Sequence, residues 1–353
     1  MIFGKKDHLV GLDIGSSCIK AAELKISGKG VSLHKFGMTR IAPGTIVEGR
    51  IIDMDGLAGE IRALFKSEKI HEKNVAISTG GHSVVIKTIN ISTRPEKKLH
   101  DTIYSESEQY IPYDIDDVNI DYQVLDKSGF SNDQMSVLVV AVKKDLVEEY
   151  IDLIHMAGLY PKIIDVDTFA LQNAYDILPS ESQEETILLV DIGASKTSLN
   201  ILKEKTSLMM RDTVSGTNQI IEEISSQFDI SEDEAEQIVN GGGTNDIVDQ
   251  DKIQEICNSI SQDWCAEICE VVNTYQASGD YDTIGKIVLS GGGVFIKGFK
   301  DLLLSELDAE VSIINPFEAI LVNEKKFSDS FITRIGPLAP IAIGLALRRV
   351  DDK

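Results

Sequence analysis

The chain has 353 residues, of which 42% are hydrophobic and 26% charged, and its formal net charge is −23. This length suffices for two lobes that each bury a core, and the composition is that of an ordinary soluble globular protein. The negative charge argues against binding to nucleic acid or to an anionic membrane surface, because both are held through clustered Lys and Arg side chains.

The first predicted element is a β-hairpin whose pattern occurs a second time later in the chain. An apolar run followed by Asp-Ile-Gly and small residues spans Leu9–Ser17 and again Leu188–Ser195, and extended stretches follow at Ile19–Leu24 and Thr197–Leu202. Glycine allows the backbone of such a turn to approach a ligand, and successive N–H groups there form a concave anion site. One copy would be an ordinary strand and turn, but two copies indicate duplicated lobes that each contribute a hairpin to a phosphate site between them.

Asp13 and Asp191 stand at the same place in the two copies. A carboxylate does not bind phosphate itself, so we predict that this pair holds a Mg²⁺ ion, through water, between the hairpins. The sequence contains neither a P-loop nor the Gly-x-Gly-x-x-Gly pattern that opens a helix in dinucleotide-binding proteins.

Between the two hairpins, the hydrophobic pattern predicts core elements followed by an inserted piece. In chain order these are a core helix at 57–66, a strand region at 75–91, a helix ending near Tyr110, strands at 118–125 and 135–142, an amphipathic helix at 146–157, a strand at 162–167 and a helix at 169–177. The polar segment 180–185 is predicted to link this half to the second lobe.

The second half contains a mostly helical stretch from about 216 to 276. Cys257, Cys265 and Cys269 fall on one predicted helix there, and we interpret them as reduced core thiols rather than as a metal site. Acidic residues cluster at 222–236, which predicts a solvated helical face or, alternatively, a docking surface for a basic partner.

A third element lies near the C-terminus, where the strand Lys286–Ser290 is followed by three glycines, Gly291–Gly293, and then a helix. A flat purine can lie against this backbone because no side chains intervene, with the helix N-terminus close to phosphate or ribose. The last apolar stretch, Leu338–Leu347, is shorter than the ~18 residues that span a bilayer, and the N-terminus lacks the apolar core of a signal peptide. We therefore expect a cytosolic protein without direct membrane insertion.

In this order, the segments resemble those of the actin, sugar-kinase and DnaK-type chaperone superfamily of nucleotide-binding proteins. The resemblance covers nearly the whole chain: residues 8–24 and 187–202 match the two phosphate segments, 161–175 and 338–349 the two connecting segments, and 286–303 the adenosine segment. It implies an α/β fold of the actin-like (ribonuclease H-like) type with duplicated lobes.

The inserted piece narrows the resemblance to the PilM family of type IV pilus assembly proteins, which is related to the cell-division protein FtsA. The segments that carry it are Tyr110-Ile111-Pro112-Tyr113, the strands at 119–125 and 136–142, the run from Arg211-Asp212-Thr213 to Gly216, and Asn315-Pro316-Phe317. The implied organisation is a first lobe at 1–178 with an FtsA/PilM-type inserted subdomain at about 81–160, a second lobe at 186–334 with a mostly helical insert at about 216–276, and a C-terminal helix at 335–353 that returns to the first lobe.

The resemblance implies ATP and Mg²⁺ as ligands, and transfer of a phosphoryl group to water as the available reaction. It assigns β-phosphate contacts to Gly15, Ser16 and Ser17, γ-phosphate contacts to Gly193, Ala194 and Ser195, purine contacts to Gly291, Gly292 and Gly293, ribose contacts to Glu236, and the hydrated metal to Asp13 and Asp191. Asp167 is the candidate to orient the attacking water, with Asp165 as the alternative, and Lys20 either reaches a phosphate or faces solvent. Relatives often carry a lysine where this chain has Val239, so we expect at most a slow ATPase.

The resemblance also implies a protein partner, namely the short cytosolic tail of a PilN-like inner-membrane protein. Such an extended peptide would bind between the inserted subdomain and the first lobe. Candidate groove residues are Gly80, Gly81, Tyr110, Pro112 and Tyr113, although hinge packing explains the glycines and the proline equally well. Recruitment to the inner membrane, and coupling to pilus motor ATPases, would go through such partners. The alternatives are an FtsA-like polymerising protein, which light scattering with ATP would reveal, and a small-molecule kinase, whose phosphate release would depend on a sugar or acid.

Overall fold

The computed structural model describes residues 8–28, 30–81, 83–92, 96–126, 134–179, 185–239, 249–277 and 282–350. Within these ranges, two five-stranded sheets form two lobes, and a three-stranded sheet forms the core of an inserted subdomain. Most of the predicted linker at 180–185 lies outside the described residues, as does the loop at 127–133 between two predicted strands.

The first lobe and its inserted subdomain contain the elements of the N-terminal half. In chain order these are β1 (Val10–Ile14), β2 (Cys18–Ser27), β3 (Gly30–Arg40), β4 (Ile46–Val47), β5 (Arg50–Ile51), α1 (Met54–Ser67), β6 (Asn74–Thr79), β7 (Val84–Ser92), α2 (Glu96–Ser107), β8 (Val118–Asp126), β9 (Gln134–Lys143), α3 (Lys144–Met156), β10 (Tyr160–Val166) and α4 (Asp167–Asp176). The lobe's sheet has the order β10-β6-β1-β2-β3, in which β1, β2 and β3 are antiparallel and β6 and β10 run parallel to β1.

The second lobe repeats this sheet. Its elements are β11 (Thr186–Ile192), β12 (Thr197–Lys203), β13 (Thr206–Thr213), α5 (Asn218–Phe228), α6 (Glu232–Val239), α7 (Gln250–Ala277), β14 (Ile284–Gly291), α8 (Phe299–Glu306), β15 (Glu310–Ile313), α9 (Asp329–Ile335) and α10 (Pro340–Leu347). The order is β13-β12-β11-β14-β15, with β11 to β13 antiparallel and β14 and β15 parallel to β11. The two sheets share their order and strand directions, which confirms the predicted duplicated two-lobe α/β fold.

Helices cover both faces of the strands that carry the two hairpins. All five residues of β1 are buried, and α1 and α3 pack on one face of its sheet through side chains such as Ile61 and Leu153. In the second lobe, Trp264 of α7 and Phe299 of α8 lie in the core over β11, with their ring centroids 5.6 Å apart. Strands buried on both faces read as continuous apolar runs, so each hairpin turn sits at the end of a rigid element.

The two connecting helices, α4 and α10, cross between the lobes. Ala170 of α4 packs with the first sheet, and the adjacent Leu171 packs with the second. The helices approach so closely that a Cβ placed on Gly344 of α10 would lie 1.7 Å from the Ala170 carbonyl oxygen. A Cβ on Gly11 of β1 would likewise lie 2.0 Å from the carbonyl oxygen of Ala342. Glycine at these places allows backbone-to-backbone packing that any side chain would prevent.

The apolar stretch at the C-terminus forms α10, which is buried along most of its length. Within the described ranges, no single helix is long and apolar enough to cross a membrane. The helical segments Asp329–Leu338 and Pro340–Leu347 are long and apolar enough only when taken together, by length and composition alone, and they are bent by 82° relative to each other.

The inserted subdomain is the antiparallel sheet β7-β9-β8 with α2 packed against it. The predicted strand region 75–91 is two strands, because the chain leaves the first sheet at Gly80 and Gly81 and enters the subdomain sheet at β7. The structure ends the subdomain near Lys143 rather than at about residue 160. The reason is that α3 buries its apolar face, including Leu146 and Leu153, in the core of the first lobe.

Candidate functional site

A cavity of about 940 Å³ lies between the lobes, and both hairpin tips line it. Fifteen of the predicted site and groove residues face this one cavity. They are Asp13, Gly15, Ser16, Ser17, Lys20, Gly80, Gly81, Asp167, Asp191, Gly193, Ala194, Ser195, Glu236, Gly291 and Gly292. The structure therefore brings residues from six separate stretches of the sequence to a single cleft.

The two hairpin turns have the same geometry. The Gly15 N–H donates to the Cys18 carbonyl oxygen at 3.1 Å, and the Gly193 N–H donates to the Lys196 carbonyl oxygen at 2.9 Å. Across the cleft, the hydroxyl oxygens of Ser16 and Ser195 lie 2.8 Å apart. A ligand bound at the tips would consequently contact both lobes at once.

The second turn is also fixed by the start of α5, which the sequence reasoning missed. The Thr217 N–H donates to the Gly193 carbonyl oxygen at 3.0 Å, and the Asn218 N–H donates to that of Ala194 at 2.8 Å. Gly216 makes this approach possible, since a Cβ there would lie 2.4 Å from the Ala194 oxygen. Gly216 stands just before this helix, at the edge of the predicted helical insert, and was the feature of the sequence that could have indicated this contact.

Asp13 forms a buried ion pair with Lys20, in which Nζ lies 2.8 Å from Oδ2. Burial raises the pKa of Asp13, and the neighbouring lysine only partly opposes that rise. Burial alone would lower the pKa of Lys20, but Asp13 and the other anionic neighbours raise it overall. The sequence left open whether Lys20 points to the phosphate site or to solvent, and in the structure it lines the cleft.

Asp191 is the second predicted metal carboxylate. Burial raises its pKa to about 6, against the hydrogen bond from Ser290, and the charge of Asp13 adds to the rise. Across the described part of the chain, no three His, Cys, Asp or Glu side chains form a group that could hold a metal ion alone. Two carboxylates beside glycine-containing turns fit Mg²⁺, which retains water and takes its remaining ligands from phosphate oxygens.

Asp167 and Asp165, the two candidates to orient water, have different surroundings. Asp167 lines the cavity and accepts a hydrogen bond from Lys196 Nζ at 2.6 Å. Burial alone would raise the pKa of Asp167, but Lys196 brings it below its usual value. Asp165 is paired with Arg348 beside α10 and is not among the residues that line the cavity. The geometry therefore favours Asp167.

Lys196 and Asp212 were not predicted as site residues, although both line the cavity. Lys196 Nζ lies 3.6 Å from Asp212 Oδ2. That same carboxylate oxygen accepts a hydrogen bond from the Gly81 N–H at 2.6 Å. Lys196 directly follows the predicted turn Gly193–Ser195, and this position could have identified it as a site residue from the sequence.

Two further lining residues, Glu236 of α6 and Arg40 of β3, form an ion pair across the lobes at 3.0 Å. Of the three predicted purine contacts, Gly291 and Gly292 line the cavity. Gly293 packs against the second sheet instead, because a Cβ there would lie 2.3 Å from the Ile192 side chain.

The five predicted groove residues do not share one surface. Gly80 and Gly81 line the interlobe cavity, whereas the other three belong to the subdomain. Tyr110 is 47% exposed beyond the end of α2. The Tyr113 ring lies at the root of the subdomain, 4.3 Å from Lys143 Nζ, and the Lys143 N–H donates to the Ser83 carbonyl oxygen at 3.2 Å.

The four cysteines are free thiols. Cys257 and Cys265 are buried in the core of the second lobe. Burial raises the pKa of Cys265 to about 12. Such thiols are unreactive, which agrees with the interpretation as core residues.

Comparison with known protein families and solved structures gives matches over nearly the whole chain. The family model "Type IV pilus assembly protein PilM" matches residues 11–350. The structure of a PilM-PilN type IV pilus biogenesis complex is 26% identical, with a TM-score of 0.88, and the match covers 98% of this chain and 99% of that one.

Two further solved structures resemble the chain in fold alone. The ethanolamine utilization protein EutJ from Carboxydothermus hydrogenoformans is 15% identical with a TM-score of 0.58, and the match covers 96% of this chain and 89% of that one. MreB 5 of Spiroplasma citri, bound to AMPPNP, is 15% identical with a TM-score of 0.52, and the match covers 93% of this chain and 97% of that one.

Proposed function

Because the chain belongs to the PilM family of type IV pilus assembly proteins, we propose that it is an ATP-binding, actin-like scaffold that docks the tail of a PilN-like protein. The observation that carries this proposal is the structural match to the PilM-PilN complex, which extends over 98% of the chain and so includes the inserted subdomain. In this role the protein acts at the cytoplasmic face of the inner membrane, recruited by its partner, and links that partner to the pilus motor ATPases.

The interlobe cleft supports a nucleotide ligand. The turns at Gly15–Ser17 and Gly193–Ser195 bind the β- and γ-phosphates through backbone N–H groups and hydroxyls. Asp13 and Asp191 hold the hydrated Mg²⁺, which when bound neutralises the phosphates and fixes their position. Asp167 orients a water molecule. Its carboxylate is already paired with Lys196, which weakens it as a proton acceptor, so turnover is slow at most.

The inserted subdomain supports the partner role. Its sheet and helix have their own core, in which Ile103 and Val137 are buried. Tyr110 and Tyr113 lie on the subdomain outside the nucleotide cavity. An extended tail gains main-chain hydrogen bonds and buries a few side chains, and accessible aromatic residues favour such contacts. Tyr110 is exposed and Tyr113 is partly buried.

A fluorescence anisotropy titration tests the docking role. The probe is a labelled peptide with the cytosolic N-terminal sequence of the PilN-like protein from the same organism, titrated with the full chain in the presence and absence of Mg·ATP. We expect saturable binding in at least one of these conditions. Absence of binding in both would overturn the docking role.

Replacing Tyr110 and Tyr113 together with Glu should weaken tail binding about tenfold or more, since buried aromatic anchors dominate such interfaces. Mg·ATP affinity should stay unchanged, because neither residue lines the cleft. Tyr160→Glu is the matched control: this tyrosine is 52% exposed but lies on β10 of the first lobe. A fall in ATP affinity without a change in tail affinity would assign these residues to the nucleotide site, and thermal melting verifies that the variants fold.

A further inference from the structure

Lys196 lies where the nucleotide cleft meets the root of the inserted subdomain. Its ammonium is 2.6 Å from Asp167 and 3.6 Å from Asp212. It also sits directly on the backbone at the end of β6, since a Cβ on Gly80 would lie 2.1 Å from Nζ. The absence of a side chain at Gly80 is what permits this placement.

Asp212 connects this lysine to the subdomain. It belongs to β13 of the second lobe, yet its carboxylate accepts a hydrogen bond from the Gly81 N–H of the first lobe. Gly81 has a φ of 79° and directly precedes the segment that leads into β7. One carboxylate of the second lobe therefore holds the backbone where the subdomain begins.

The ion pairs of the cleft distinguish Lys196 from its neighbours. Lys20 is paired with Asp13, and Arg40 is paired with Glu236. Lys196 instead bridges two carboxylates, and the more distant of the two is Asp212. An additional anion beside Lys196 would compete first with that weaker contact.

The position of Lys196 in its hairpin determines which anion this would be. Its carbonyl oxygen closes the turn Gly193–Ser195, which the proposed function assigns to the terminal phosphate. The equivalent residue of the first hairpin, whose carbonyl closes the other turn, is Cys18, which is not a basic residue. Positive charge is thus placed next to the terminal-phosphate turn and not at the matching position of the other.

We infer that Lys196 distinguishes a nucleoside triphosphate from a diphosphate and passes that difference to the subdomain. The terminal phosphate draws the ammonium away from Asp212. Asp212 then loses the cation that shares its oxygen Oδ2, so this oxygen becomes a stronger acceptor and its hydrogen bond from the Gly81 N–H strengthens. The inference rests on the proposed function, because it requires that the cleft bind a Mg·nucleotide.

Calorimetric titrations with Mg·ADP and Mg·AMPPNP test the discrimination step. Lys196→Met should weaken AMPPNP binding about tenfold or more, the usual effect of losing a charge-assisted hydrogen bond, and should change ADP binding far less. Lys203→Met is the matched control, since Lys203 lies on the adjacent strand, β12, and pairs with the surface residue Asp282. An unchanged preference for AMPPNP in Lys196→Met would overturn the inference.

Hydrogen exchange at the peptide that contains Gly81 tests the relay without depending on turnover. Exchange there should be slower with AMPPNP than in the free and ADP-bound protein. Asp212→Asn should make it fast in all three states while the preference for AMPPNP remains, because Lys196 is intact. Equal exchange in the ADP and AMPPNP states of the wild type would overturn the relay.

The double variant Lys196→Met, Asp212→Asn leaves no carboxylate at position 212 without its cation. It replaces the single variant in the nucleotide titrations if Lys196→Met alone does not fold. It should lose the preference for AMPPNP, and retention of that preference would overturn the discrimination step. If the wild type binds neither nucleotide, the proposed function itself fails. If it binds both and the variants behave as the wild type does, only this inference fails.

Discussion

Replacing Asp13 or Asp191 with Ala is expected to weaken Mg·ATP binding by about 100-fold, enough to abolish detectable binding in calorimetry at micromolar protein. Both carboxylates line the cleft at the ends of the two hairpin strands. Without either one, the phosphates lose part of the metal counter-charge that holds them between the lobes. Asp282→Ala, which removes a surface carboxylate paired with Lys203, is the control and should bind normally. Unchanged affinity in both cleft variants would remove the clamp from the proposed function.

Asp191→Asn should stabilise the free protein at pH 7 even though it impairs binding. Burial raises the pKa of this carboxyl to about 6, so its ionised form is disfavoured in the folded state. The resulting loss of stability develops as the pH rises from about 4 to about 6 and is complete above that, amounting to about 3 kcal/mol. The asparagine of the variant does not ionise, so the variant does not lose this stability.

Urea unfolding of the wild type and of Asp191→Asn at pH 7 and pH 5 measures the effect. The variant should be more stable at pH 7, and the gap should narrow at pH 5. Opposite effects on binding and on stability are expected of a residue retained for its ligand. A less stable Asp191→Asn variant would show instead that the carboxylate is structural.

The parts of the site that were predictable from the sequence are those that depend on neighbouring residues. A buried strand, Asp-x-Gly and a small-residue turn form one hairpin, and its repetition predicted the duplicated sheet, which is confirmed. The segments of the inserted piece predicted the PilM family, which is also confirmed. The positions of Asp13 and Asp191 in the cleft follow from that local pattern.

The contacts that were missed join residues far apart in the chain. Gly81 and Asp212 meet across 131 positions, and Arg40 and Glu236 across 196. Which side chains face each other depends on how the two lobes pack, and neither periodicity nor motif spacing contains that information. The same holds for Asp165, whose partner Arg348 is 183 positions away.

The C-terminal boundary of the subdomain likewise depends on which distant elements pack together. The pattern at 146–157 was correctly interpreted as an amphipathic helix, and the structure has α3 at Lys144–Met156. An apolar stripe shows that a face is buried but not which sheet covers it. Here the first lobe covers it, so the inserted unit is shorter than predicted.

The second large effect is expected at the crossing of the connecting helices. A Cβ at Gly344 would lie 1.7 Å from the carbonyl oxygen of Ala170, which is backbone and cannot rotate away. Gly344→Ala should therefore separate α10 from α4 and reduce the free energy of unfolding by about 3 kcal/mol or more. Because α4 begins at Asp167, the same displacement should weaken Mg·ATP binding in whatever fraction remains folded.

Gly59→Ala in α1 is the matched control, since it makes the same change in a helix where the nearest atom to the new Cβ is the end of Arg62, 3.8 Å away. There the higher helix propensity of alanine should stabilise the protein by up to about 1 kcal/mol. Thermal and urea unfolding of both variants should thus give shifts of opposite sign. Shifts of the same sign and similar size would mean that α4 and α10 separate at little cost, and that the lobes are held together by the cleft ion pairs instead.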